Sequence, residues 1–360
     1  MTPLSVQMPL LHGTGVPGAL PVQVGSFPRF RYMGSKFKLL PWIHGVLSDI
    51  SFDTATDAFS GSGVVSYLLK SMGKQVSSND ALAFPCVLTA ATIANNATCL
   101  TESDVTRLLA AKAKRPEHRF IRTTYEGIFY TPEELGFLDD LWAGIRGLNS
   151  PLKRSVALAA LLRSAIKRQP RGLFTVADPN RYQDGRRDLQ LTLREHFLEQ
   201  VGCYNAAVFS NGRRNSVTCG DVFNVPQGAD LVYMDPPYVP LSDDNCYIKR
   251  YHFLEGLACY WEDKEVMMNT KVRKIAKPFT PFAYRHTAED AFDRLFRHFA
   301  DSIQVLSYSS NGFPDLDRLR ALMGRYKRTV EVVEKEHRYH FGTHSAAKRN
   351  VVREYLIIGS

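Results

Sequence analysis

The most constraining feature of the sequence is an apolar run, Leu231-Val232-Tyr233-Met234, that stops at Asp235-Pro236-Pro237-Tyr238. A continuous apolar run is typical of a strand buried on both faces, as in the parallel sheet of an α/β protein. Two consecutive prolines remove two backbone donors and fix two φ angles, so the strand is followed by a rigid loop whose carbonyl groups can accept hydrogen bonds. Ligands of open α/β sheets bind beyond the carboxyl ends of the strands, which puts this tetrapeptide in the expected active cleft.

The chemistry of the tetrapeptide suits an exocyclic amine. An NH2 group donates two hydrogen bonds, and the carboxylate of Asp235 and the carbonyl of Pro236 can accept both, which turns the nitrogen lone pair toward an electrophilic methyl group. Tyr238 adds an aromatic face on which an extruded base can stack. The structural alternative is a strand-ending Pro-Pro turn with an incidental tyrosine.

A glycine-rich turn forms the second constellation, Asp57-Ala58-Phe59-Ser60-Gly61-Ser62-Gly63, between a predicted strand at 54–59 and a predicted helix at 64–72. Glycines let the backbone approach a ligand closely, and the helix start presents N–H groups to a carboxylate. Asp80 ends the next predicted strand, about twenty residues on, where an acidic side chain binds ribose hydroxyls. Plain packing of a strand against a helix is the alternative, and Asp80 favours nucleoside binding.

A third element lies upstream, at Arg31-Tyr32-Met33-Gly34-Ser35-Lys36. It combines cationic and aromatic groups on a glycine-containing bend. Lys36 or Tyr32 could contact the carboxylate or the adenine of a nucleoside cofactor. The plain start of a helix is the alternative.

The order of predicted elements divides the chain into three parts. Residues 1–28 are rich in Gly, Pro and small residues without a sustained period, and predict a flexible tail. Residues 29–98 and 215–360 predict a doubly wound, Rossmann-like α/β core with a mixed sheet, since the last two β runs suit an antiparallel pair at its edge. Helical periods dominate residues 99–214, which predict an inserted helical module.

Charge and cysteine content limit the class of protein. Lys and Arg number 45 against 36 Asp and Glu, a formal charge of +9, which favours polyanionic partners but also describes a well-solvated basic enzyme. The six cysteines form no C-x-x-C pair and have no histidine at zinc-ligand spacing, so we expect no metal site and a reducing compartment. No secretory signal or long apolar run is present, which predicts a soluble, cytoplasmic protein without a membrane partner.

Taken in order, the three elements and Gly220-Asp221-Val222-Phe223, which lies before the apolar strand at 231–234, resemble the Dam-like family of DNA adenine-N6 methyltransferases, the alpha group. The resemblance extends from Phe30 to the end of the chain. It implies S-adenosylmethionine as cofactor and double-stranded DNA as substrate. The stretches 243–261 and 167–172 do not look like the recognition elements of the adenine methylase that marks GATC, so that target is not implied.

The resemblance also implies roles for individual residues. Tyr32, Lys36 and the loop from Asp57 to Gly63, including Phe59, Gly61 and Ser62, would bind the cofactor. Asp80 would bind its ribose, and Asp221 with Val222 would contact its adenine. The tetrapeptide Asp235, Pro236, Pro237 and Tyr238 would be the catalytic motif, and the helical module would recognise the target.

Basic residues in the helical module and after the tetrapeptide suggest contacts with DNA. Arg168 and Arg171 surround a proline-containing turn after a predicted helix, where they could contact phosphates and base edges. Lys249 and Arg250 follow the tetrapeptide and could hold the backbone near an extruded base. A solvated basic face is the alternative.

The sequence therefore predicts a site-specific DNA methyltransferase that acts on N6 of adenine by base flipping. A restriction-modification system or a phage or host marking system would be its setting, with a cognate restriction endonuclease as a possible partner. Methylation of adenine in RNA or of cytosine N4 in DNA remains open, because the same loop suits any conjugated amine. A non-catalytic DNA-binding protein with a degenerate methyltransferase fold is the alternative from another class.

Overall fold

The computed structural model describes residues 19–170, 172–177, 185–240, 246–338 and 351–360. The strands of these parts are β1 (Thr54–Asp57), β2 (Gln75–Asp80), β3 (Ser216–Cys219), β4 (Leu231–Met234), β5 (Val239–Pro240), β6 (Val266–Met267), β7 (Lys274–Ile275), β8 (Ile303–Ser309), β9 (Gly312–Phe313), β10 (Val330–Arg338) and β11 (Val351–Gly359). The α-helices are α1 (Leu40–Ser48), α2 (Val64–Ser71), α3 (Ala83–Thr89), α4 (Glu102–Ala110), α5 (Phe120–Thr124), α6 (Pro132–Arg146), α7 (Pro151–Lys167), α8 (Arg187–Gln190), α9 (Leu193–Ala207), α10 (Tyr247–Cys259), α11 (Arg285–His298) and α12 (Leu316–Met323).

The core is a seven-stranded mixed sheet in the order β10-β11-β8-β4-β1-β2-β3. Strands β8, β4, β1, β2 and β3 are parallel, and β11 and β10 are antiparallel to their neighbours. The predicted antiparallel pair at the end of the chain forms this edge. The predicted fold class, a Rossmann-like α/β core with a mixed sheet, is confirmed.

Both faces of the sheet are covered, as the apolar sequence of β4 requires. All four residues of β4 are buried. Tyr233 packs in a hydrophobic cluster with α1 and α2, whereas Val232 and Met234 pack in a second cluster with α11 and α12 on the opposite face. Because parallel strands end at one edge, β1, β2 and β4 deliver their carboxyl ends to the same place.

The first residues of β1 are polar for a structural reason. The carboxylate of Asp230 accepts hydrogen bonds from the backbone N–H groups of Asp53 and Thr54 at 3.0 and 2.8 Å, and from the Thr54 hydroxyl at 2.9 Å. This side chain fixes the start of β1 beside that of β4. The two loops that follow these strands are thereby held in register.

The hydrophobic core of the predicted helical module also contains residues from outside 99–214. Residues of α10, which the sequence assigned to the catalytic part at 215–360, lie in the same hydrophobic core as α5, α6 and α7. The Phe253 ring lies 4.9 Å from that of Tyr125 and 5.0 Å from that of Phe174. Buried Val272 and Ile275 anchor the β6–β7 hairpin in the same core. Helix α10 therefore joins the catalytic core to the module.

The predicted N-terminal tail is partly folded. Residues 1–18 lie outside the described residues, but Val24 and Phe27 are buried, and the Phe27 ring lies 5.1 Å from that of Tyr67 on α2. The predicted flexible tail therefore contains a docked part, because two apolar side chains in a Gly- and Pro-rich stretch are enough to hold it against α2. None of the helices in the described residues is long and apolar enough to cross a membrane.

Candidate active site

A cavity of about 420 Å³ lies at the carboxyl ends of β1, β2 and β4. It brings together most of the residues that the sequence selected. The selected residues that line it are Tyr32, Lys36, Asp57, Phe59, Gly61, Ser62, Asp80, Asp221, Val222, Asp235, Pro237 and Tyr238. Pro236 and Gly63 are not among the lining residues. Gly63 instead precedes α2 with a φ of +80°, and a Cβ there would lie 2.8 Å from Cγ2 of Thr89.

Asp80 ties the glycine loop to the end of β2. Its carboxylate accepts hydrogen bonds from the N–H of Gly61 at 2.9 Å and the N–H of Leu82 at 3.0 Å. Gly61 has a φ of +50°, and a Cβ there would meet the Tyr32 ring at 2.9 Å, so the close approach requires glycine. Burial raises the pKa of Asp80 to about 6, although the backbone donors act in the opposite direction.

Asp57 lies deeper, at the end of β1, and is 1% exposed. The Ser66 hydroxyl donates to its Oδ2 at 2.6 Å, while Oδ1 is buried with no hydrogen-bond partner in the described part of the chain. Burial raises the pKa of Asp57 to about 7, and the nearby carboxylates of Asp235 and Asp80 raise it further. Asp57 lines the cavity, and its Oδ1 is left as an acceptor for a cationic group.

Asp235 pairs with Lys36, which the sequence analysis assigned to the cofactor. The Lys36 ammonium lies 2.9 Å from Oδ1 of Asp235, and Lys36 is only 5% exposed. The Asp235 side chain keeps 23% of its surface exposed. Burial raises the pKa of Asp235, and the Lys36 ammonium opposes that rise. Lys36 thus helps to hold the Asp235 carboxylate in its charged form.

Two tyrosines of α10 hold the segment that carries Tyr32 and Lys36. The Tyr32 ring stacks on Tyr251 at 5.6 Å and 6°, and lies 5.4 Å from the Tyr247 ring. The backbone N–H of Met33 donates to the Tyr251 hydroxyl at 2.8 Å. The sequence analysis assigned this helix only basic contacts with the DNA backbone. The spacing of four residues, which puts both tyrosines on one helical face, was the signal that could have found them.

Tyr238 and the Asp221 turn complete the two ends of the cavity. The Tyr238 ring packs against Tyr308 of β8 at 5.1 Å, which supports it from the sheet side. Asp221 is exposed, and its Oδ1 accepts a hydrogen bond from the N–H of Phe223 at 3.1 Å. Val222 is buried beside it.

A segment that sequence reasoning missed forms another wall. Residues 277–283 all line the cavity. Phe282 is 3% exposed, and its ring lies 5.4 Å from Phe59 and 6.2 Å from Phe223. Pro278 and Pro281 restrict the backbone on both sides of Phe279. The sequence signal that could have identified this wall was the Pro- and Phe-rich stretch at 277–283, directly before α11.

The basic residues selected for DNA contact have different surroundings. Arg168 is 9% exposed, and its guanidinium pairs with Oε1 of Glu134 at 2.7 Å and donates to the carbonyl of Leu189 at 2.6 Å. Its selection as a DNA contact is therefore corrected, because its donors stabilise the module internally. Arg171 lies outside the described residues. Lys249 is exposed on α10, and Arg250 is half-buried beside it.

The glycine loop, bound to Asp80, and the Asp235 loop line one cavity at the carboxyl ends of the parallel strands. This arrangement defines a Rossmann-like methyltransferase. A family model of the D12 class N6 adenine-specific DNA methyltransferases matches residues 32–306. The chain belongs to this family and is an adenine-specific DNA methyltransferase. The predicted family and reaction are confirmed. S-adenosylmethionine is the general methyl donor of such enzymes.

Several relatives are type II or modification methyltransferases. The type II methyltransferase M2.HphI of Haemophilus parahaemolyticus is 30% identical over 330 residues, which cover 87% of this chain and 93% of the relative. M.NlaIII of Neisseria lactamica is 23% identical, with coverage of 85% and 91%. The modification methylase LlaI of Lactococcus lactis subsp. lactis is 26% identical, and the match covers 88% of this chain and 52% of that longer relative.

Proposed function

We propose that the cavity binds S-adenosylmethionine at the glycine loop and an adenine extruded from duplex DNA at the Asp235 loop, and that N6 of this adenine receives the methyl group. The observation that carries the proposal is the common cavity, which is lined both by the residues selected for a nucleoside and by those selected for an amine. Proximity of this kind converts a bimolecular reaction into an intramolecular one.

The residues present suit the cofactor. Asp80 would accept from the ribose hydroxyls, since a carboxylate oxygen retains acceptor capacity after one backbone hydrogen bond. The buried Oδ1 of Asp57 would accept from the ammonium of the methionine part. Val222 and Phe59 would contact the adenine, with Asp221 at its edge. When bound, the cofactor supplies an electrophilic methyl group on a sulfonium.

Asp235 would act as acceptor and orienting group for the target amine. Its carboxylate and the Pro236 carbonyl accept the two N6 hydrogens, which directs the lone pair away from the ring. N6 would form its bond to the methyl group as the bond between that methyl and the sulfonium sulfur breaks, which leaves a neutral thioether product. The negative charge of Asp235 would stabilise the cationic amine, whose extra proton would then pass to water. Lys36 would favour the ionised form of Asp235 before the amine arrives.

Duplex DNA would reach the site only after the adenine leaves the helix, because a paired base hides its amine from a deep cleft. Tyr238 would stack on the extruded base. The helical module, with α10, would form the other wall of the DNA cleft and recognise the target, with Lys249 and Arg250 near the strand backbone. Arg171 remains a candidate contact in this module.

The cellular setting follows from the relatives. We propose that this enzyme protects DNA in a type II restriction-modification system, and that its functional partner is an endonuclease with the same target. The names of the relatives support the system. A DNA substrate and six free thiols support action in the reducing cytoplasm.

The test is the Asp235→Ala variant. Methyl transfer to DNA, cofactor affinity and DNA affinity are measured on one folded preparation, with exposed Asp290→Asn as a matched control. Turnover should fall by at least about 10²-fold while both affinities largely survive. Near-normal turnover contradicts the catalytic assignment, and a matching loss of cofactor affinity assigns Asp235 to the cofactor pocket. Nucleoside mass spectrometry identifies the methylated base, and N4-methylcytosine or methylated RNA would overturn the proposed target.

A further inference from the structure

Three of the six large hydrophobic side chains that are exposed in the described residues fall between positions 267 and 279. Among the large hydrophobic residues that the structure describes, Met267 is 39% exposed, Met268 54% and Phe279 68%. Met267 and Met268 are on and just after β6, whereas Phe279 is on the cavity wall at 277–283. Scattered exposed hydrophobic residues are ordinary, but an exposed ring that also lines a cavity, as Phe279 does, is typical of a binding surface.

Phe279 is held outward by its neighbours. Phe282 turns inward and is 3% exposed, so it anchors the wall, while Pro278 and Pro281 stiffen the backbone. The Phe279 ring stacks on Tyr284 at 5.5 Å and 10°. An aromatic ring fixed in this way loses little conformational entropy when a second ring stacks on it.

The segment 266–285 is basic, and exposed Glu265 directly precedes it. Residues 266–285 contain three lysines and two arginines but no aspartate or glutamate. Lys271 and Lys277 are exposed, and the Lys277 ammonium lies 4.9 Å from the centroid of the Tyr284 ring. Exposed aromatic faces among cations are the composition of surfaces that bind unpaired nucleotides, with stacking on the bases and ion pairs to phosphates.

We propose that residues 266–285 form a DNA-binding surface in which Phe279 stacks on a base unpaired by extrusion of the adenine, and Lys271 and Lys277 contact phosphates. The proposal rests on the proposed function. The cavity explains the location, because an adenine that enters it leaves its neighbours exposed at the mouth that Phe279 borders. The hairpin explains the attachment, because Val272 and Ile275 hold this surface to the helical module.

A tryptophan at position 279 reports on stacking directly. The three native tryptophans are 2%, 8% and 6% exposed, so Phe279→Trp adds one accessible fluorophore. The probe is a short duplex that contains the sequence methylated by the wild-type enzyme, mapped by modified-base sequencing. We expect the duplex to quench the added emission and protect it from acrylamide. Quenching by S-adenosylmethionine alone, with none added by DNA, would show a cofactor lid and overturn the proposal.

Substitutions measure the contribution of the ring. Phe279→Ala should weaken DNA binding about 5- to 100-fold without changing cofactor affinity or the salt dependence, and Phe279→Tyr should restore most of it. Lys271→Ala and Lys277→Ala should each reduce the slope of log K against log salt by about 0.9. Val22→Ala, an exposed apolar site outside both the cavity lining and the helical module, is the control and should change nothing.

The two proposals fail in different ways. A wild-type enzyme that transfers no methyl group to DNA overturns the proposed function, and this surface with it. A wild-type enzyme that methylates DNA, together with folded Phe279→Ala that binds the duplex within twofold of it, overturns only the surface. An unchanged KM for DNA in the same variant likewise overturns the surface and leaves the proposed function in place.

Discussion

Replacement of Asp57 by Asn should make the empty enzyme more stable. Asn keeps an oxygen that can accept from the Ser66 hydroxyl, which lies 2.6 Å from Oδ2 in the wild type. The change removes a buried charge whose other oxygen has no hydrogen-bond partner in the described residues. A charge in that position opposes folding.

The magnitude follows from the pKa. Burial raises the pKa of Asp57 from 3.8 to about 7, and at about 1.36 kcal/mol per pH unit this corresponds to at most about 4 kcal/mol. Since the folded-state pKa lies above the unfolded one, the cost is fully present above pH 7 and disappears as the pH falls toward 4. The gain from Asn should follow the same dependence. For 360 residues, about 4 kcal/mol corresponds to roughly 5 °C in Tm.

The assay is thermal unfolding of both proteins between pH 5 and 8.5, with and without S-adenosylmethionine. We expect Asp57→Asn to have the higher Tm at pH 8 and this advantage to shrink at pH 5. The cofactor should stabilise the wild type strongly and the variant weakly, because the ammonium of the cofactor has no charged acceptor in the variant. Asp290→Asn controls for loss of a surface charge. A variant that is less stable than the wild type at pH 8, or a difference independent of pH, would refute the reasoning.

Three further predictions concern charged side chains. Asp80→Ala should weaken S-adenosylmethionine binding by about 1–3 kcal/mol, and unchanged affinity by calorimetry in a folded variant would reject the ribose assignment. Lys36→Met removes the cation that opposes the raised pKa of Asp235, so the acidic limb of the plot of kcat against pH should move to higher pH. The carboxylates of Glu354 and Asp57, which also act on Asp235, remain in the variant. An acidic limb at the wild-type pH would contradict the pairing of Lys36 with Asp235. Arg168→Ala leaves the carboxylate of Glu134 without its cation and should cost about 3–5 kcal/mol of stability, measured by urea unfolding, while DNA affinity per folded molecule is unchanged.

Local signals predicted the sheet and the centre of the site. The apolar run of β4, the Pro-Pro stop and the glycine turn each occupy a few consecutive residues, so their structure is determined by nearby sequence. Asp80 could be placed because the ends of adjacent parallel strands share one edge.

The missed features are contacts between residues far apart in the chain. Lys36 and Asp235 are separated by 199 positions, and nothing near either residue indicates the ion pair. The same holds for α10, whose tyrosines hold the segment around Met33. Arg168 shows the opposite failure, because a basic residue beside a turn looks exposed until its partner Glu134 is located.

The reach of α10 into the helical module determines where this enzyme can be cut and rejoined. A chimera that exchanges residues 99–214 for those of a relative would separate Tyr125 and Phe174 from Phe253, and so divide one hydrophobic core between two parents. Under the proposed function, in which this module recognises the target, a graft of new target preference should include α10 and the β6–β7 hairpin. The transplanted helix would then also bring its own contacts to the segment that carries Lys36, so a change of module alters the support of the residue that pairs with Asp235.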